Sequence, residues 1–209
     1  MKPGISFLLV LLFLSPAAGR AAEGYRLYES TAASVNGEVL FVSDVAQEAC
    51  FLGCAAMPGS KEEILSARGA RDRLVLDTLA LQEQRKLLLG TVDNVTLTGY
   101  AREAESRMAV CLSPCKREIA PAETREWIRR KLLLRDFFNR RVAVFVEVKD
   151  DDVRRELARR PSAPGNGAKP TEEQVRDEMR DAQITQEIRN WQTRAASKSR
   201  LVLSPMEDR

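Results

Sequence analysis

The sequence predicts a mainly α-helical protein with a short β-hairpin near its start and a short β-like run near its end. Three observations carry that reading. Apolar residues recur at helical spacing in successive segments between residues 45 and 195. The dipeptide Asn36-Gly37 separates two β-favouring runs in ASVNGEVLFVS, residues 33–43, and suits the positive φ angles of a tight hairpin. With 44% hydrophobic and 30% charged residues over 209 positions, the chain can bury a core, and its length allows one domain or one domain and a small lobe.

The elements follow in order. Residues 1–19 place Lys2 before the apolar run 5–14 and then Ser15, Pro16, Ala17, Ala18 and Gly19, the pattern of a secretory signal peptide. Cleavage is expected before Arg20, with a cut after Ala21 as the competing choice. The apolar run is too short for a bilayer that needs about 20 residues, so no stable membrane insertion is expected. After the hairpin, Ser43 or Asp44 can cap a first helix from Val45, because either side chain accepts bonds from unpaired amides of the first turn. Residues 57–60 read as a turn. Leu74, Val75, Leu76, Leu79, Leu81, Leu87 and Leu88 load a second helix on more than one face, which implies an interior position. Thr98 can cap a third helix, and Pro121 can occupy the first turn of a fourth, in which Trp127, Leu134 and Phe138 recur on one side. VAVFVEV, residues 142–148, reads as extended or as a tight crossing, and Asp150, Asp151 and Asp152 open a short helix. PSAPGNGAKP, residues 161–170, is a linker. Thr171 and Gln174 form a capping box for the last helix, which carries two apolar faces: Val175, Met179 and Ala182, and then Ile184, Ile188, Trp191 and Ala195. Two faces imply two neighbours, or one neighbour and a client. A β-like run, residues 200–203, closes the series.

Composition excludes more chemistry than it suggests. Without histidine there is no Ser-His-Asp or Cys-His nucleophile, no imidazole-ligated metal and no proton shuttle near neutral pH. A formal charge of +3 argues for neither nucleic acid nor an anionic membrane surface as partner. The four cysteines form two CxxxC pairs, Cys50 with Cys54 and Cys111 with Cys115, and in an exported chain an even count favours structural disulfides. Three pairings are open: 50–54 with 111–115, 50–115 with 54–111, and 50–111 with 54–115. Cysteines four apart share a helix face and could staple neighbouring helices, whereas Gly53 and Pro114 equally suit local loops. A four-thiolate zinc site and a redox-active CxxxC are the weaker readings. Zinc knuckles favour shorter spacings, and no thioredoxin-like strand-helix pattern surrounds either pair.

The order of segments is familiar. VNGEVLFVSDV at 35–45, LVLDTLALQEQRKL at 74–87, WIRRKLLLRDFFNRRV at 127–142 and VEVKDDDVRRELAR at 146–159 resemble, in sequence order, the SurA N-terminal domain family, the helical core of bacterial periplasmic chaperones of the SurA, PpiD and PrsA type. The resemblance implies a signal peptide at 1–19, a helical chaperone core over 20–160, and a helix and strand over 171–209 that return to complete that core. Residues 201–203 would then pair near residues 33–42. Family members commonly carry parvulin-type isomerase domains where this chain has the ten-residue linker 161–170, too short for a domain of about 100 residues. Parvulin sites also normally use histidine. The resemblance therefore implies a periplasmic, ATP-independent holdase that is not an enzyme, needs no cofactor, and binds unfolded or outer-membrane proteins in an apolar groove. Phe137, Phe145, Met179 and Trp191 are the candidate peptide-binding residues, because large aromatic and methionine side chains make tolerant surfaces. An envelope adaptor holding one fixed partner is the alternative, told apart by breadth of binding. The oligomeric state is left open.

Overall fold

Asn36 and Gly37 both adopt positive φ, 52° and 91°, and turn β1 (Thr31–Val35) into β2 (Glu38–Phe41) as an antiparallel hairpin. The structure is a computed structural model that describes residues 29–56, 66–160 and 169–206. The expected signal peptide and its cleavage site, the turn at 57–60 and linker positions 161–168 lie outside the described residues. On the other side of β1 lies β3 (Leu201–Leu203), with Val35 opposite Leu201, Ser34 opposite Val202 and Ala33 opposite Leu203, so the strand order is β2-β1-β3. The Asn36 amide donates to the Arg200 carbonyl at 2.9 Å, and the Arg200 amide donates back to Asn36 Oδ1 at 2.9 Å. The turn that starts the hairpin thus also fixes the returning strand.

The helices form where caps and apolar spacing allow, with some boundaries displaced. α1 (Val42–Cys54) begins three residues before Val45, and Asp44 acts from inside the first turn by accepting the Phe41 amide at 2.8 Å. α2 (Ala67–Lys86) is capped by Ser66, whose hydroxyl accepts from the Gly69 amide. Leu87 and Leu88 fall beyond its end and are exposed, which shortens the expected interior helix. Gly90, at φ 77°, follows; a Cβ there would collide with Asp136 of the fourth helix. α3 (Asn94–Val110) starts at Asn94 rather than near Thr98, because the Asp93 carboxylate accepts the amides of Val95 and Thr96 at 2.9 and 2.8 Å. A 3-10 turn at Pro114–Glu118 leads to α4 (Pro121–Arg141), where Pro121 takes the first turn as expected. The run at 142–148 contains a further 3-10 turn, Ala143–Phe145. α5 (Asp150–Arg159) then precedes α6 (Glu172–Ser197), which opens with the reciprocal bonds of Thr171 and Gln174.

Packing gathers around α2 and α4. Phe51 and Cys50 of α1, Leu97 and Met108 of α3, and Trp127 and Ile128 of α4 form one cluster, with the Phe51 and Trp127 rings stacked at 4.8 Å. The hairpin residues Ala33, Val35 and Leu40 bury against Val45, Leu74 and Leu79 in a second. Ala80, Leu134 and Phe137 form a third, against which Trp191 and Phe138 rest. The two faces of α6 find two neighbours. Its first half packs on α5, where Val153 and Val175 are fully buried and Asp150–Arg176 and Arg160–Glu178 ion pairs of 2.6 and 2.5 Å join the helices. Its second half lays Trp191 and Ala195 on α2 and the hairpin cluster.

A buried polar centre links three helices. Glu48 of α1 is 1% exposed and accepts from Trp127 Nε1 at 2.8 Å and Lys131 Nζ at 2.7 Å. Lys131 of α4, 6% exposed, also donates to Asp77 of α2 at 2.7 Å. Burial depresses the Lys131 ammonium, but the carboxylates of Asp77 and Glu48 outweigh it and hold the group above the ordinary lysine range.

Candidate functional site

The C-terminal part of α2, the end of α4 with the 3-10 turn after it, and the second half of α6 enclose a groove of about 1230 Å³. Each wall has a local cause. α4 runs from Trp127, in the first cluster, for 14 further residues, about 21 Å of helix, and so delivers Arg141 to the groove. The chain then tightens into Ala143–Phe145, which leaves Phe145 76% exposed at the groove wall. Trp191 lines the same groove from α6. Its ring meets Phe137 and Phe138 edge-on at 5.2 and 5.4 Å, so those two rings hold its orientation from behind.

The candidate residues separate accordingly. Phe145 and Trp191 both line the groove and are brought together from positions 46 apart in sequence. Phe137 does not: it is 0% exposed and lies in the third core cluster, where it supports Trp191 instead of offering a surface. Its neighbour Phe138 had shared the more regular stripe with Trp127, but the helix turns Phe137 into the core because Ala80 and Leu134 close around that position. Met179 is half-buried on the first half of α6 and does not line the groove.

The lining is also more polar than an apolar groove requires. Val142, Val146 and Leu79 join the two aromatic rings, but five basic side chains and three acidic ones surround them, with Asn36, Gln82, Gln183 and Gln186 between. The reason is the packing of α6. Ala195 is committed to the hairpin cluster, and the edges left open are the polar flanks of α2 and α6. Part of this rim is tied in place: Gln82 donates to the Val35 carbonyl at 2.9 Å, and Arg85 pairs with Glu38 at 2.8 Å. The glutamines and charged residues carried no apolar periodicity, so nothing in the sequence pattern marked them as groove residues.

The four cysteines form Cys50–Cys115 and Cys54–Cys111, the nested pairing of the three that spacing allowed, with Cα separations of 5.9 and 5.4 Å. They staple the end of α1 to the end of α3 and to the following 3-10 turn. No cysteine is free among the described residues, so four-thiolate coordination would first require reduction. Among the described residues, no helix is long and apolar enough to cross a membrane. Compared with protein-family models and with curated proteins, the chain matches none.

Proposed function

We propose that this protein is an ATP-independent holdase of the bacterial periplasm that shelters apolar segments of unfolded envelope proteins, outer-membrane proteins among them, without prolyl isomerase activity. The single observation that carries the reading is the exposed Phe145 ring, which lines one open groove together with Trp191. An aromatic held this openly gains free energy when a client covers it. Sheltering ~200 Å² of apolar surface contributes roughly 5 kcal/mol at about 25 cal/mol per Å². Association and ordering offset much of this, which leaves binding weak and reversible. That suits a protein that must release its client without fuel. The polar rim supports the same reading, because mixed amides and charges accept varied segments and select none strongly.

The resemblance in segment order and the junction of the two chain ends in one sheet are consistent with the SurA-type core. The absence of histidine and the short linker both speak against the isomerase chemistry common in that family. The test is suppression of aggregation of several unrelated denatured proteins, including an outer-membrane β-barrel protein. Protection near stoichiometric amounts, abolished by Phe145→Asp, is the expected result. No protection at several-fold excess overturns the reading, and tight copurification with one partner without general protection favours an envelope adaptor.

A further inference from the structure

The disulfide cluster has more than a staple's geometry. The sulfurs of Cys50, Cys54 and Cys115 all lie within 4.8 Å of one another, so Cys54 stands beside a disulfide that is not its own. The four cysteines differ in access: Cys50 is buried with Phe51 and Trp127, whereas Cys54, Cys111 and Cys115 are half-buried. Two cations are anchored near this cluster: Arg107, which is paired with Glu103, donates to the Ala56 carbonyl two residues after Cys54, and Lys116 Nζ, next to Cys115, donates to the Ala109 carbonyl at 3.0 Å, two residues before Cys111. The loop at Cys111 also presents apolar surface, with Leu112 99% exposed and Val110 exposed on the other side of the cysteine.

We infer that the two bridges form a thiol–disulfide relay, entered at Cys111 by a protein dithiol that docks on Val110 and Leu112. The dithiol is oxidised to its own disulfide, and its two electrons and two protons reduce Cys54–Cys111 to two thiols. The Cys54 thiolate then attacks the Cys115 sulfur; the Cys54–Cys115 bond forms, the Cys50–Cys115 bond breaks, and the departing Cys50 sulfur takes the proton that Cys54 lost. The exchange is redox-neutral. Attack on Cys115 keeps α1 joined to the 3-10 turn, whereas a Cys50–Cys54 bond would lie within the last turn of α1 and join no elements. The product has one disulfide, a Cys50 thiol in apolar surroundings that tolerate it, and a reactive thiol at Cys111.

The test uses the disulfide-bonded full chain. Limiting dithiothreitol, acid quenching, alkylation and peptide mass mapping should yield a one-disulfide species with Cys54–Cys115 linked and Cys50 and Cys111 alkylated. A Cys111→Ser variant, whose Cys54 is free from the outset, should show the Cys54–Cys115 bond without any reductant. A one-disulfide species that keeps Cys50–Cys115, with only Cys54 and Cys111 alkylated, overturns the relay, and so does one that keeps Cys54–Cys111. With a thioredoxin-class dithiol as reductant, Leu112→Asp should slow reduction several-fold while the dithiothreitol rate is unchanged. An equal slowing with both reductants, or none with either, overturns the docking assignment.

Discussion

The two ends of α4 lie in regions stabilised by different means. At its start, Trp127 and Ile128 enter a cluster tied by two disulfides and underpinned by the Glu48–Lys131–Asp77 centre. At its end, Phe137 and Trp191 meet by ring contacts alone, and the chain beyond them exposes Phe145. The first region is held by covalent bonds and a charge centre in addition to its packing. The second is held by packing that a local change can loosen without unfolding the rest. A client-binding surface belongs in the second kind of region, since its apolar groups must remain available instead of satisfying one another.

The largest expected effect falls on the stapled end. Replacing either cystine by alanines should cost about 2–5 kcal/mol, read from urea unfolding. The pair together should cost less than twice that, because the 57-residue separation of Cys54 and Cys111 lies inside the 65-residue separation of Cys50 and Cys115. Lys131→Met should cost a similar amount, about 3–5 kcal/mol, because it strands Glu48 as a buried carboxylate; adding Glu48→Gln should recover a large part of the loss. If the double variant is no better than the single one, the penalty is one of shape and not of charge.

The groove end should separate support from surface. Phe137→Leu should lower stability by about 1–2 kcal/mol and blunt the near-ultraviolet signal of Trp191, because the ring behind it is lost. Phe145→Asp should leave stability within about 0.5 kcal/mol while eliminating client protection. Equal losses of stability in the two variants would erase the distinction. The smallest effect belongs to the start of α3. Bonds from the Thr96 hydroxyl and amide hold the Asp93 carboxyl below its ordinary value of 3.8. A carboxylate with a lowered folded value stabilises above its unfolded value and loses that contribution as pH falls through the folded one. Thermal midpoints between about pH 5 and pH 2 should therefore fall less steeply for Asp93→Ala than for the parent.

The reading of single elements from sequence succeeded where a backbone conformation or cap has few alternatives. Asn36-Gly37, Pro121 and Thr171 with Gln174 all act as their chemistry demands. Boundaries slipped where a better acceptor lay nearby: Asp93 displaced Thr98, and Asp44 worked from inside the helix it was expected to precede. Of the candidate site residues, Phe145 and Trp191 share the groove, but the choice of Phe137 over Phe138 as a surface residue fails: Phe137 is core, because adjacent aromatics on a helix differ only in which side the neighbours close. The buried Glu48–Lys131 pair was equally invisible, since a charged residue at helical spacing reads as solvated until a partner three helices' worth of chain away is known.

Composition and local pattern by themselves determined the helical class, the hairpin, the exclusion of histidine chemistry and the pairing of cysteines into two sets. These depend on residue type and on spacings within a turn or two. Only the tertiary structure decided which cysteine joins which, which aromatic is core and which is surface, and that the groove has a polar rim. Each of those depends on what stands opposite a residue, and that distance is set by the packing of α2, α4 and α6, not by separation along the chain.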